Sequence, residues 1–223
     1  MSIYELTKQQ ITPLEPVHFS KVEIREREDL QRLLRENTKI LDQNLLVIAE
    51  EFCGWEDSRR RIDLLAIDGN ANLVVIELKR SEDGGHMELQ SLRYAAMVST
   101  LTFEKAVEIF EEYLLELGQS GDAKEIILKH INQAEPDEEV FAQDVRILLV
   151  SSDFGKELTT TVMWLNERAL DIRCIRLRPY TDETRVFLDV QQVIPLPEAS
   201  EYQIQVREKA IKERQAASRK WDQ

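Results

Sequence analysis

The chain has 223 residues, with 29 lysines and arginines against 42 aspartates and glutamates, for a net charge of −13. That length buries a sizeable core and points to one elaborated domain, while the acidic balance argues against a nucleic-acid-binding surface spread over the whole molecule. No apolar run approaches the roughly 20 residues a membrane helix needs, and the amino terminus lacks a basic segment followed by an apolar core, so a soluble, cytoplasmic protein is expected. Cys53 and Cys174 lie far apart in or near apolar runs and are expected as buried, reduced thiols; no Cys-x-x-Cys or paired-histidine spacing suggests zinc.

Residues 1–20 hold two short apolar stretches broken by Pro13 and Pro16, which predicts an edge hairpin or extended arm. From Ile24 to Leu34 the spacing turns helical, with Leu30, Leu33 and Leu34 on one face and Glu26, Glu28 and Asp29 in the first turn, where the helix dipole favours acids. Leu45 to Glu50 reads as a strand. Two β-branched-rich runs follow, Arg61–Ile67 and Leu73–Lys79, joined by the turn residues Asp68-Gly69-Asn70-Ala71-Asn72, which is a hairpin signal. With that five-residue loop Ile67 faces Leu73, and the same register sets Asp63 across from Glu77 and Arg61 across from Lys79. Residues paired across an antiparallel ladder point to one side of the sheet, so two carboxylates and Lys79 share a face. Like charges opposed across a ladder are destabilising, and a chain that builds such a pair has a use for a cation between them.

After Arg80, the segment Ser81–His86 reads as a loop, with His86 solvated rather than a general base. A helix is predicted from Met87 to about Ser99, where Gln90 and Tyr94 are four apart and share a face. Two further helices, Thr102–Leu117 and one capped at Asp122 that ends near Ile131, form an insertion suited to packing or partner contact. From Glu104 to Glu139 there are eleven acids and three bases, so much of the negative excess lies here, whereas Arg59, Arg60, Arg61, Lys79, Arg80 and Arg93 crowd the hairpin. That distribution leaves room for a neutral to basic cleft on an acidic body. Gln133–Glu139 is a loop. Val145–Val150 is a continuous apolar strand, followed by a helix, Lys156–Arg168, and strands at Asp171–Leu177 and Arg185–Val190, a rhythm that completes a sheet by crossover. Beyond Pro195 and Pro197 the composition predicts a polar helix through Gln223, able to dock on a partner or a second subunit. The expected fold is α/β in the broad sense, an α+β sandwich. Its parts are an arm over 1–20, a main domain over 21–197 with the helical insertion at about 102–139, and a polar helix over 198–223.

Asp63, thirteen intervening residues and then Glu77-Leu78-Lys79 resembles the Asp…Glu-x-Lys signature of the PD-(D/E)XK nuclease superfamily. The phrases Arg61-Ile62-Asp63-Leu64-Leu65-Ala66 and Val74-Val75-Ile76-Glu77-Leu78-Lys79-Arg80 are similar to the nuclease domain of NucS-like (DUF91-type) endonucleases. Gln90 and Tyr94 match the Gln-x-x-x-Tyr that several branches carry on the next helix. The likeness is tightest over Arg25–Met97 and looser over Val145–Pro195.

The resemblance implies a restriction-endonuclease-like core and a Mg2+- or Mn2+-dependent deoxyribonuclease, most simply an endonuclease. It implies that Asp63, Glu77 and the backbone carbonyl of Leu78 hold the metal, that Lys79 positions water or stabilises the pentacovalent phosphorus, and that Gln90 and Tyr94 orient neighbouring groups. The helix before the sheet often adds an acid in this superfamily; Glu28 is the candidate, with Glu26 the alternative. Arg61, Arg80 and Arg93 are candidates for holding the DNA backbone. A homodimer is compatible with the resemblance. Mismatch specificity is not carried over, because NucS-like enzymes place a DNA-binding domain before the nuclease domain and only about twenty residues precede the first helix here. The alternative is a catalytically silent nuclease-like module that binds nucleic acid or protein; the intact acid pair and lysine count against it.

Overall fold

The computed structural model describes residues 2–53, 61–79, 86–137, 141–182 and 184–196. The chain opens with three short strands, β1 (Tyr4–Leu6), β2 (Ile11–Pro13) and β3 (Glu15–Pro16). A π-helical segment, Glu26–Gln31, in which Leu30 N–H donates to Arg25 O, then runs directly into the α-helix α1 (Arg32–Glu36). The sheet strands β4 (Leu45–Phe52), β5 (Ile62–Asp68) and β6 (Leu73–Lys79) precede three helices, α2 (Met87–Val98), α3 (Phe103–Glu116) and α4 (Ala123–His130). The described chain closes with β7 (Val145–Ser151), α5 (Lys156–Asn166), β8 (Asp171–Thr181) and β9 (Val186–Ile194).

Seven of these strands make one mixed sheet in the order β3-β8-β7-β6-β5-β4, with β9 also on β8. Helices flank it, so the fold is the expected α+β type. β5 and β6 are buried at every position but Lys79, and β7 at every position but Val145, because they are the central strands and are covered on both faces. β4, β5 and β6 form an antiparallel meander; β6, β7 and β8 are parallel. Parallel neighbours need crossovers, which α2 to α4 supply between β6 and β7 and α5 supplies between β7 and β8.

The carboxyl ends of β6, β7 and β8 therefore lie along one edge of the sheet. β8 outruns β7 there. Tyr180 and Thr181 pair with β9 on one side and with Pro16 and Glu15 of β3 on the other, so the amino-terminal arm returns beside the end of β7.

The insertion helices are capped as the sequence signals, with the Thr102 side chain accepting from Lys105 N–H and that of Asp122 from Glu125 N–H. α3 buries Phe103, Ala106, Ile109, Phe110, Tyr113 and Leu114, so its role is core packing, with Glu104, Glu108, Glu111 and Glu112 left outside. Cys174 is buried as expected. Cys53 is not: it follows the last residue of β4, beyond the covered part of the sheet, and is exposed. At the opposite edge from the ends of β6 to β8, buried Arg146 meets Asp42 and Asp68 at 2.8 Å each and Asp171 at 3.3 Å, tying the hairpin loop to β7 and β8. The polar segment 198–223 and residues 54–60 lie outside the described residues, as does Arg80.

Candidate active site

The β5–β6 hairpin has the expected loop, with Asp68 N–H donating to Asn72 O and Ile67 paired with Leu73. Pairing runs through Leu64↔Ile76 and stops. In an antiparallel ladder alternate pairs exchange hydrogen bonds, so with Asp68 and Asn72 bonded, a continued ladder would bond Ile62 to Leu78. Instead the Leu78 N–H donates to Asp63 Oδ2 at 2.7 Å. The side chain of Asp63 thus takes a donor that backbone would have used, and the two strands part. This corrects the expectation of a ladder reaching Arg61 and Lys79: Arg61 stands exposed just before β5 and outside the pairing. N–H and C=O of one residue project to the same side of a strand, so the Leu78 carbonyl faces the same gap.

Asp63 and Glu77 remain one register step beyond the last pair and feel each other's charge. Glu77 is fully buried, and neither carboxylate oxygen has a hydrogen-bond partner among the described residues. Lys79 Nζ lies 3.2 Å from Glu77 Oε1 in an ion pair. Burial first, and then the Asp63 charge, push Glu77 up to about 8; burial, with Glu51 and Glu26 nearby, pushes Asp63 up to about 6 against the opposing pull of Leu78 N–H and Lys79. Burial works to lower Lys79, but Glu77, Asp63 and Glu26 outweigh it and raise its proton affinity. A carboxyl held partly protonated attracts Lys79 less than an ionised one, so the pair is poised rather than locked.

The helix acid is where the sequence left a choice. Glu28 is 58% exposed and lies 3.7 Å from Arg25 in an ion pair, on the outer side of the segment. Glu26 is half-buried, and its charge reaches Asp63, Glu77 and Lys79. The structure therefore places Glu26, not Glu28, toward the cluster; residues two apart in a helical turn lie on nearly opposite faces, so one acid turned inward leaves the other outside.

Two further residues were not singled out. Buried Gln31 donates to Asp63 O at 3.2 Å, Glu50 Oε1 at 3.0 Å and Glu51 Oε1 at 3.3 Å, tying the π-helical segment to β4 and β5. Glu51, across from Asp63 in the β4–β5 register, has φ of 50°, a left-handed conformation that costs a non-glycine residue energy. Its Oε1 meets Arg27 Nε at 3.3 Å, and its buried Oε2 has no hydrogen-bond partner among the described residues. The two acids closing an apolar strand, Glu50 and Glu51, were the available signal. Glu26 and Glu51 add two acids on the described side of the cleft, while Arg59, Arg60 and Arg80 lie outside the described residues.

On α2, Gln90 Nε2 donates to the hydroxyl of buried Tyr94 at 3.0 Å, so the pair shares a face as expected and is joined to itself. Arg93 is exposed on the same helix, and exposed His86 caps its start at φ of 50°.

Among the described residues no group of three or more His, Cys, Asp or Glu side chains is arranged to hold a metal ion. Two carboxylates are brought together, one of them fully buried with Lys79 as its charge partner, beside a backbone carbonyl that faces the same gap. That donor set suits a hard cation that keeps several waters and takes one or two protein carboxylates.

No protein-family model matches the chain, and no curated protein matches it. Among solved structures it is similar to a repair endonuclease from Pyrococcus abyssi, at 16% identity and TM-score 0.40, over 78% of this chain and 65% of that one. It is also similar to EndoMS in a complex with double-stranded DNA, at 15% identity and TM-score 0.35, over 79% of this chain and 64% of that one. The chain spans less than two thirds of the length of either. Among the described residues no helix is long and apolar enough to cross a membrane.

Proposed function

We propose that the protein is a divalent-metal-dependent nuclease that hydrolyses phosphodiester bonds of DNA. The observation that carries this reading is Glu77: a fully buried carboxylate, without hydrogen-bond partners for either oxygen among the described residues, beside Asp63 and 3.2 Å from Lys79. Burying a carboxylate is expensive even with one lysine beside it, and natural folds retain such an arrangement where a cation or a reaction uses it.

Asp63 through Oδ1, Glu77 and the Leu78 carbonyl would hold Mg2+ or Mn2+. The ion, when bound, would neutralise phosphate charge and make water more acidic. The chain's own residues do the rest. The Leu78 N–H fixes the Asp63 carboxylate and leaves its second oxygen to the gap. Lys79 offers a cation to a phosphoryl oxygen or to the attacking water, and its charge is worth most where surrounding protein excludes solvent. Gln31 holds the π-helical segment against β4 and β5, which sets the approach of Glu26.

The test is incubation of purified protein with labelled single-stranded, duplex and branched DNA, with chelator, Mg2+ or Mn2+. Metal-dependent cleavage abolished by Glu77→Gln is the expected result. Tight DNA binding without cleavage under any metal would instead identify a silent nuclease-like module.

A further inference from the structure

The in-register partners of Lys79 continue across the sheet. Lys79 pairs with Ser151 on β7, Ser151 with Arg176 on β8, and Arg176 with Gln191 on β9. In-register residues project to one face, so Glu77, Leu149 and Cys174 form one row, Lys79, Ser151 and Arg176 the next, and Arg178 lies one step beyond on the same side. The first row is apolar past Glu77, since Leu149 and Cys174 pack with Met87, Leu158 and Val162 of α2 and α5. The second row is polar, with Ser151 buried and Lys79 and Arg176 partly exposed.

Asp153, just after β7, organises that edge. Its carboxylate bonds to Arg178 Nη2 and lies 3.6 Å from Arg176 Nη1. Arg176 Nη2 also donates to Gln191 Oε1 at 2.5 Å. Both arginine side chains are largely covered, at 20% and 28% exposure, whereas that of Asp153 is 39% exposed. Arg176 Nε and the neighbouring Ser152 Oγ are buried without hydrogen-bond partners among the described residues. The amino end of α5 opens at the same place with Gly155 as its cap residue, so no side chain takes its first N–H groups. Asp153 and, across the ladder from Arg178, Asp189 balance the two arginines, so this end of the sheet offers guanidinium donors not yet used rather than net positive charge, on a molecule whose total charge is −13.

We propose that Arg176 and Arg178, held by Asp153, form a phosphate-binding subsite that grips the DNA backbone about two strand spacings, roughly 10 Å, from Lys79. The subsite rests on the DNA nuclease reading and extends it by giving the substrate a direction, from the β5–β6 gap across β7 toward β9. Arginine suits the role because its planar donor fork matches phosphate and keeps its charge at any working pH. Asp153 holds both forks ready and gives way, being the most exposed of the three, as phosphate arrives.

The experiment is fluorescence anisotropy of a labelled duplex in chelator, so that binding is read without cleavage, over a salt series, with melting curves alongside. Each lost phosphate contact should reduce the slope of log affinity against log salt by about one, so Arg176→Met and Arg178→Gln should each lower it by that amount and the double variant by about two. Arg178→Lys should keep the wild-type slope. Asp153→Asn should tighten binding, because it removes an anion that competes with phosphate; an ion-pair cluster with a purely structural role would give lower melting temperature and no tighter binding. If Arg178→Gln fails to fold, Arg178→Lys and Asp153→Asn decide the matter. Wild-type slopes in the arginine variants, or unchanged or weaker binding by Asp153→Asn, overturn the subsite while leaving the nuclease reading intact. A wild-type protein that neither binds nor cleaves duplex overturns both.

Discussion

Asp63 Oδ2 accepts the backbone N–H of Leu78 at 2.7 Å, and this bond replaces the ladder partner that β5 would have offered. The substitution of side chain for backbone opens the sheet where Glu77 and Lys79 stand. Asp63→Asn would keep an acceptor oxygen for Leu78 while removing the charge. The fold should hold within about 1 kcal/mol, by the usual size of one hydrogen bond, and cleavage should fall by two orders of magnitude or more. Denaturant melts beside single-turnover cleavage check both halves.

Lys79 is 26% exposed and fills no core position. Lys79→Met should fold with a melting temperature near that of the wild type, because Glu77 can take up a proton once its cation is gone. Cleavage should drop by about 100-fold or more, the range seen when a single charge-stabilising donor is lost. Wild-type turnover in this variant would remove Lys79 from the mechanism.

The raised carboxyls fix the sign of a pH effect. Glu77 goes from an ordinary 4.5 up to about 8 and Asp63 from 3.8 up to about 6, so the folded protein holds protons that the unfolded chain releases. The stability from these groups is fully present below about pH 4 and is lost as pH rises through the folded values, between roughly pH 4 and 8. In chelator the melting temperature should therefore lose a contribution on going from pH 5.5 to 8.5, and Glu77→Gln should flatten much of that slope and melt at or above the wild type at pH 8.5. Mg2+ or Mn2+ should restore wild-type stability there by binding the folded state, and should act weakly on the variant. A variant that melts well below wild type at pH 8.5 and responds equally to metal would make the acid pair structural.

Glu26 and Glu28 sit two residues apart and should separate cleanly. Glu26→Gln should cost 10- to 100-fold in cleavage or in apparent metal affinity, as groups around metal ligands commonly do. Glu28→Gln should remain within about twofold, since its ion pair with Arg25 is exposed. Metal titrations of both variants against one duplex make the comparison.

Arg146 offers a control at the far edge. Arg146→Ala would strand buried Asp68 and loosen Asp42 and Asp171, which should cost about 3–5 kcal/mol and lower the melting temperature by roughly 6–20 °C. At a temperature where the variant is folded, cleavage per molecule should stay close to wild type, because no group of the acid pair is touched.

Much of this was legible in the chain because it depends on short-range rules. The hairpin loop Asp68–Asn72 sets the register, period-two alternation fixes which residues share a face, and the capping residues Thr102 and Asp122 mark two helices within a residue or so. Hence Asp63, Glu77 and Lys79 could be grouped without coordinates. The sequence did not decide where the ladder ends, since that depends on whether the Asp63 side chain or the Ile62 backbone wins the Leu78 N–H. Nor did it distinguish Glu26 from Glu28, because both acids fit the first turn and only the docked segment shows which of them faces Asp63 and Glu77. Gln31 and Glu51 reach the site through contacts 32 and 12 positions away in the chain, and Arg176 and Arg178 join it only through two parallel strand pairings. Such long-range placements follow from how the sheet closes, where burial of whole strands outweighs local preference, and only the tertiary structure sets them.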